Sequence, residues 1–243
     1  FRNKKLKPLV GDNVEIAVLD EEKKLGNIEK VEERKNSLIR PAVANIDKLF
    51  IISSHNNPAP NTLLIDKMTV LARLSGIEPI IVFNKSDMGD FSEWRDMYEK
   101  AGFKTYVVSA LAGEGMNELK EELKDSISVF TGNSGVGKSS ILNAIFGSDK
   151  ITTGDVSQKL GRGRHTTRHT ELYELEFGGF VADTPGFSSL ELDMNDYTLK
   201  EKLFDCFEDF SDFADGCRFS SCSHTKENGC AVIEAVKNGE IVQ

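Results

Sequence analysis

One glycine-rich segment constrains the fold of this 243-residue chain more than any other feature. It lies between a predicted strand, residues 127–131, and a helical pattern that begins at Lys138. The segment, called the phosphate loop below, consists of Gly132, Asn133, Ser134, Gly135, Val136, Gly137, Lys138, Ser139 and Ser140. Its glycines let backbone N–H groups turn toward a phosphate, and the following helix presents its positive end to the same charge. We therefore predict that Lys138 contacts the β and γ phosphates of a nucleotide and that the Ser139 hydroxyl binds Mg²⁺.

Strands alternate with helices from Asp47 onward, which is typical of an α/β fold with a parallel sheet covered by helices. The predicted strands are residues 49–53, 79–83, 104–109, 127–131, 172–177 and 180–183, and the predicted helices are residues 62–75, 92–101, 116–125 and 138–146. Residues 1 to about 45 hold short alternating segments at 13–19, 26–31 and 36–40, separated by charged turns. They predict a small antiparallel β module before the sheet.

A second polar segment, Asn84-Lys85-Ser86-Asp87, follows the apolar residues 80–83 and is called the base-reading segment below. It lies at the carboxyl end of a predicted strand, where α/β proteins bind ligands. The Asp87 carboxylate accepts hydrogen bonds only, so it can pair with N1–H and the exocyclic amine of guanine, whereas adenine offers no proton at N1. We predict that Asn84 bridges the base and the neighbouring loops and that the Lys85 stem covers the purine.

Two further residues, Ser109 and Ala110, end another predicted strand and would offer a backbone N–H to the guanine oxygen. With the phosphate loop and the base-reading segment, they predict GTP and GDP as ligands. A phosphate-loop ATPase or kinase is a weaker alternative, which Asp87 opposes because its carboxylate would be left unpaired by adenine.

The segment Asp183-Thr184-Pro185-Gly186 closes the last predicted strand and matches the element with which GTPases hold Mg²⁺ and sense the γ phosphate. We predict Asp183 as the carboxylate on the metal side and the Gly186 N–H as the sensor. Phe187 follows, where many GTPases carry a glutamine that orients the attacking water. Because a phenyl ring cannot orient water, we expect slow hydrolysis by the isolated chain.

The polar loop at residues 154–170 is the predicted source of the missing catalytic group. Thr167, with Thr166 as second choice, would close on Mg²⁺ and the γ phosphate, and His165 would position the water. The alternative for His165 is a solvated loop histidine without a catalytic role.

Three cysteines and a histidine lie in one short stretch: Cys217, Cys222, His224 and Cys230. Three thiolates and an imidazole suit tetrahedral Zn²⁺, and a site with four protein ligands is structural because it has no open position. Buried or free thiols are the alternative. The fourth cysteine, Cys206, lies beside Phe204 and Phe207 and is predicted to be a core residue.

The net charge of −9 indicates that any contact with nucleic acid would use local basic patches rather than the overall field of the molecule. No apolar run approaches the roughly 20 residues needed to cross a bilayer. No secretory signal is visible. We therefore expect a cytoplasmic protein without a membrane partner, and a monomer.

The order of the motifs is unusual, because the base-reading segment and Ser109-Ala110 precede the phosphate loop. In this order, in residues 132–140 and 161–167, and in the cysteine cluster, the chain resembles the ribosome small-subunit-dependent GTPase A family, also called the YjeQ or YloQ family. The resemblance implies a circularly permuted GTPase domain at residues 46–189. It also implies a partial OB-fold barrel at residues 1–45 and an α-helical zinc-binding domain with one structural Zn²⁺ at residues 190–243.

The resemblance further implies a GTPase that acts in late maturation of the small (30S) ribosomal subunit, contacts its rRNA and is stimulated by that subunit. The alternative function is a GTP-gated rRNA-binding module in which hydrolysis is incidental.

Overall fold

The computed structural model describes residues 7–38, 41–56, 58–147, 171–183 and 203–241. In chain order the strands are β1 (Val14–Asp20), β2 (Leu25–Val31), β3 (Ser37–Leu38), β4 (Val43–Ala44), β5 (Lys48–Ser54), β6 (Glu78–Asn84), β7 (Lys104–Val108), β8 (Ile127–Thr131), β9 (Glu171–Glu174) and β10 (Phe180–Asp183). The helices are α1 (Thr62–Leu74), α2 (Ser92–Lys100), α3 (Met116–Leu123), α4 (Lys138–Phe146), α5 (Glu208–Ala214) and α6 (Ala231–Lys237). No helix in these ranges is both long enough and apolar enough to span a bilayer.

Six strands form one sheet in the order β7-β6-β5-β8-β10-β9. The first five of these are parallel to their neighbours, and β9 pairs antiparallel with β10 at the edge. The strand predicted at residues 172–177 ends at Glu174, because the chain turns back through Gly178 and Gly179. In this turn the Leu175 N–H donates to the Gly179 carbonyl at 3.0 Å, which brings β9 and β10 together as a hairpin.

Strands β5 and β6 are buried along almost their whole length because helices cover both faces of the sheet. Successive side chains alternate between the faces, so Leu49 and Ile51 pack with α1 and α2 on one side. Phe50 and Ile52 pack with α3 and α4 on the other side. This double burial explains why each strand contains an uninterrupted apolar run, residues 49–52 in β5 and 79–83 in β6.

The amino-terminal residues form a β1–β2 hairpin and a short β3–β4 pair, both antiparallel as predicted. Side chains of the β3–β4 region, including Val43 and Ile46, belong to the same buried cluster as Leu49 of the sheet. Asn36 strengthens this connection by accepting from the Ile46 N–H and donating to the Ile46 carbonyl, each at 2.8 Å. Among the described residues the two strand pairs do not close a barrel, so the OB-fold stays a prediction.

Residues 203–241, called the carboxyl-terminal module below, contain α5 and α6 and a small core of their own. The module packs against α1 through a 3₁₀ turn, Phe204–Cys206. Cys206 is buried, as predicted, and its carbonyl accepts a hydrogen bond of 2.7 Å from the Arg73 guanidinium. The module is thereby attached to the helix that covers one face of the sheet.

Candidate nucleotide-binding site and metal centre

The carboxyl ends of β6, β7, β8 and β10 lie along one edge of the sheet, and the predicted site residues follow them. The phosphate loop connects β8 to α4, so the amino end of α4 points into this edge. Lys138, the first residue of α4, reaches back across the loop and donates to the carbonyls of Gly132 at 2.6 Å and Asn133 at 2.8 Å. Burial lowers the pKa of Lys138. The loop thus holds a partly desolvated ammonium group beside several backbone N–H groups.

The phosphate loop contacts the base-reading segment directly through Gly137 and Asn84. Gly137 has a φ of 94°, in the left-handed region, and a Cβ atom there would collide with the Asn84 amide nitrogen. Asn84 is buried, and its amide group donates to the Val136 carbonyl at 2.9 Å while accepting from the Ala110 N–H at 3.1 Å. One side chain therefore joins three segments that the sequence places far apart, while its contact with a base stays a prediction.

Lys85 gives the base-reading segment its shape. It adopts the left-handed conformation with a φ of 69°, which is unusual for a residue other than glycine. Its ammonium group donates to the Gly135 carbonyl at 2.8 Å, so the aliphatic stem extends across the space between the two segments. The reversal at Lys85 turns the following residues, Ser86–Met88, into a single 3₁₀ turn that carries Asp87.

A cavity of about 740 Å³ lies between these segments. Asn84, Lys85 and Asp87 line one side, Ser109 and Ala110 another, and Ser140 of α4 a third. The Ser109 hydroxyl donates to the Asp87 carboxylate at 2.6 Å, which orients the carboxylate at the wall of the cavity. A cavity of this size accommodates a small-molecule ligand such as a nucleotide.

Asp183 is the last residue of β10, beside the strand that leads into the phosphate loop. Strand β10 pairs in parallel with β8, and Ala182 is opposite Val129. The backbone therefore brings Asp183 to the same edge as Ser139, as the predicted magnesium pair requires. Gly186, His165, Thr166 and Thr167 lie outside the described residues.

The carboxyl-terminal module contains a cluster of four potential metal ligands, Cys217, Cys222, His224 and Cys230, whose ligand atoms all lie within 4.8 Å of one another. The His224 Nδ1 atom is 3.5 Å from the Cys217 Sγ and 3.3 Å from the Cys230 Sγ. This cluster can hold a metal ion. The Phe204 ring meets the His224 ring edge-on at 4.7 Å, so the turn that contacts α1 also supports the cluster.

The family model described as RsgA GTPase matches residues 31–193, more than half of the chain. The chain belongs to this family. Two similar relatives, both named small ribosomal subunit biogenesis GTPase RsgA, come from Caldanaerobacter subterraneus and Ruminiclostridium cellulolyticum. The first is 48% identical over 99% of this chain and 81% of its own length, and the second is 46% identical over 99% and 79%.

Two solved structures agree with this assignment. YjeQ from Thermotoga maritima matches 99% of this chain and 81% of its own with a TM-score of 0.78 and 39% identity. YloQ, described as a circularly permuted GTPase, matches 100% and 78% with a TM-score of 0.79 and 33% identity. The resemblance drawn from the sequence is therefore confirmed, and so is the permuted α/β fold, since the base-reading segment precedes the phosphate loop in the same sheet.

The structure brings together the predicted RsgA-family site residues that lie in the described ranges, while their individual roles stay predictions. Sequence reasoning missed Glu114, which contacts Ser86 within the base-reading segment. Glu114 follows Gly113 in a short polar loop, and nothing in its spacing indicated that its carboxylate would reach a segment 28 positions earlier in the chain.

Proposed function

We propose that this chain binds GTP with Mg²⁺, hydrolyses it to GDP and phosphate, and acts in the maturation of the small ribosomal subunit. The observation that carries the proposal is the cavity lined both by Asp87 and by Gly137 and Ser140 of the phosphate loop. Ser109 orients the Asp87 carboxylate, and the Asn84 amide joins the base-reading segment to the Val136 carbonyl of the loop. The names of the RsgA relatives supply the ribosomal context.

Guanine recognition would use Asp87 as the acceptor for the two donors of the base. The Ala110 N–H donates to the Asn84 amide oxygen at 3.1 Å, so Asn84 would have to share or release this donor for it to reach the guanine oxygen. The Lys85 stem, extended toward Gly135, would cover one purine face. These contacts select against adenine because it would leave the Asp87 carboxylate without a donor.

Phosphate binding would use the backbone N–H groups of residues 132–140, the positive end of α4 and the Lys138 ammonium. The Lys138 contacts with the Gly132 and Asn133 carbonyls hold the ammonium over the loop, from which it can move to phosphate oxygens. Ser139 and Asp183 are the residues proposed to hold Mg²⁺, and their oxygen ligands fit this hard cation. When bound, Mg²⁺ neutralises charge that develops on the phosphates.

Activation of the water would depend on residues 154–170. We assign His165 to water positioning and Thr167, or Thr166, to closure over the γ phosphate, with the Gly186 N–H as the sensor. Phe187 supports this arrangement because it removes the usual glutamine from the neighbouring segment. Hydrolysis would be slow in the isolated chain and faster when the small subunit is bound.

The cysteine cluster would hold one structural Zn²⁺ through Cys217, Cys222, His224 and Cys230. Its four donors and their mutual distances fit a closed tetrahedral site. We further propose the division into an OB-fold at residues 1–45, a GTPase domain at 46–189 and a zinc-binding domain at 190–243. The chain would work as a cytoplasmic monomer that contacts rRNA, as expected for a factor in ribosome maturation.

The proposal is tested by measuring GTP turnover with and without purified small ribosomal subunits. A large increase on adding the subunits is expected, and large subunits serve as the control. A protein that binds GTP and the small subunit without any change in turnover would support the GTP-gated binding module instead.

Guanine recognition is tested separately with Asp87→Asn, which places a donor opposite the donors of guanine. Affinity for GTP should fall by about 1–3 kcal/mol, or roughly 5- to 150-fold. A calorimetric titration that shows unchanged GTP affinity would refute the assignment of Asp87.

A further inference from the structure

A closed ring of hydrogen bonds joins the base-reading segment to residues 109–115. The Ser86 hydroxyl donates to the Glu114 carboxylate at 3.2 Å, and the Ser109 hydroxyl donates to the Asp87 carboxylate at 2.6 Å. Ser109 and Glu114 exchange two backbone hydrogen bonds, at 3.0 and 3.1 Å, which complete the ring. Each segment thus contributes one serine donor and one carboxylate acceptor.

The loop that carries Glu114 is held firmly by its own backbone. The Ala112 N–H donates to the Ser109 hydroxyl oxygen at 3.1 Å, and the Gly113 N–H donates to the Ser109 carbonyl at 2.8 Å. On the other side of Glu114, Gly115 has a φ of 68°, and a Cβ atom there would lie only 2.5 Å from the Val107 carbonyl oxygen. Because the backbone is held on both sides of Glu114, the side chain of Glu114 starts from a fixed position near Ser86.

The base-reading segment needs such a contact after Lys85. Asn84 is buried and bonded on both sides, and Lys85 is bonded to the phosphate loop, so the segment is well anchored up to this point. The following 3₁₀ turn, Ser86–Met88, is one turn long, and so short a turn has little stability of its own. Asp87 lies in this turn and is exposed. Within the turn the Met88 N–H donates to the Lys85 carbonyl at 3.0 Å, and the Ser86–Glu114 hydrogen bond ties the start of the turn to residues 109–115.

We propose that Glu114 is a positioning residue for guanine specificity, which it controls by holding Ser86 and thereby the plane of the Asp87 carboxylate. The proposal rests on the proposed binding of guanine nucleotides. With the Ser109 contact alone, the Asp87 side chain could rotate about a single hydrogen bond. A base with two donors needs both carboxylate oxygens in place at once, whereas a base with one donor is satisfied by either oxygen. Greater rotational freedom of the Asp87 carboxylate therefore weakens binding of a base with two donors more than binding of a base with one donor.

The test compares GDP with inosine diphosphate, whose base lacks the exocyclic amine. Equilibrium dissociation constants for both are measured for the wild type, Glu114→Ala and Glu114→Gln. The wild type should prefer GDP by about tenfold or more, since one hydrogen bond to a carboxylate is at stake. In Glu114→Ala this preference should fall by roughly fivefold, because the bidentate geometry is lost. Glu114→Gln should retain most of it, because the amide oxygen still accepts from Ser86.

Glu118→Ala is the matched control, since Glu118 is an exposed glutamate on the first turn of α3. Ser86→Ala breaks the same hydrogen bond from the other side and should lower the preference as Glu114→Ala does, which keeps the test usable if one variant folds poorly. Melting temperatures identify general destabilisation, which would lower both affinities equally. An unchanged GDP preference in Glu114→Ala and Ser86→Ala would overturn the proposal. A wild type that does not distinguish the two nucleotides would contradict the guanine-nucleotide function on which the proposal depends.

Discussion

Arg73, near the end of α1, makes two of the polar contacts between this helix and the carboxyl-terminal module. Its guanidinium donates to the Cys206 carbonyl at 2.7 Å and forms an ion pair of 3.0 Å with Glu208. The same group lies 4.3 Å from the centre of the Phe103 ring. Replacing Arg73 with alanine removes both contacts with the module and leaves the Cys206 carbonyl without this donor.

The free energy that Arg73 contributes to docking of the module follows from its individual contacts with the module. A hydrogen bond from a charged group contributes about 1.5–3 kcal/mol. The Glu208 side chain is 69% exposed, so its ion pair contributes at most about 1 kcal/mol. The cation–π contact joins Arg73 to Phe103, which lies outside the carboxyl-terminal module, so it does not contribute to docking. Since neighbouring contacts are not additive, we expect a total of about 2–4 kcal/mol, which raises the population of the undocked module roughly 30- to 900-fold.

Hydrogen–deuterium exchange measures this population directly. Amides of α5 should exchange faster in Arg73→Ala by a factor within that range, while amides of β5 and β6 keep their wild-type rates. The control is Arg95→Ala, which removes an arginine of α2 that pairs with Asp96 and Glu99 on the surface. Equal exchange in α5 for the wild type and Arg73→Ala would refute the view that Arg73 holds the module on α1.

Three further predictions concern the metal centre, the sheet and the phosphate loop. Cys222→Ser should lower bound zinc and speed proteolysis of the carboxyl-terminal module, as measured by elemental analysis and limited digestion; a purified wild type without stoichiometric zinc would contradict the site. Burial would raise the pKa of Glu122, but hydrogen bonds from Lys48 and Tyr106 outweigh it and hold the pKa low. The contribution of Glu122 to stability is therefore present above its unfolded pKa of about 4.3 and lost as the pH falls through the folded pKa. Glu122→Gln should lower the free energy of unfolding in urea by about 1–3 kcal/mol at pH 7 and by less near pH 3. An equal loss at both pH values would argue against this role. Gly137→Ala should lower GDP affinity by about tenfold or more in a binding titration, because the new methyl group meets Asn84, and unchanged affinity would contradict this packing.

The parts of the fold that the sequence predicted depend on local patterns. Strand β8 and helix α4 have the predicted bounds, because the phosphate loop between them marks the end of the strand and the start of the helix. The apolar run that ends at Phe83 likewise identified β6, although the strand extends one residue at each end. The cysteine cluster was predictable because cysteine and histidine have few other reasons to occur together.

The parts that the sequence did not predict depend on long-range contacts. Arg73 contacts Cys206 across 133 positions of the chain, and no local pattern marks an arginine at the end of a helix as an attachment point. Glu114 is similar, because its partner Ser86 lies on another loop and both are ordinary surface residue types. Strand β9 ends before the predicted residue 177 because the chain turns at Gly178 and Gly179, and the pattern of apolar residues does not indicate this turn.

The strand order also determines which side of the cavity can form first while the chain is being synthesised. Strands β5, β6 and β7 are consecutive in the chain and adjacent in the sheet, so this part of the sheet can assemble from residues 48–108 alone. The base-reading segment is complete at that point and Ser109 follows directly, whereas β8 and the phosphate loop come later. Chains fold from their amino ends as they leave the ribosome, and contacts between nearby residues form fastest. We therefore expect the nascent protein to complete its base-binding half first, the reverse of the order in a GTPase whose phosphate loop begins the chain.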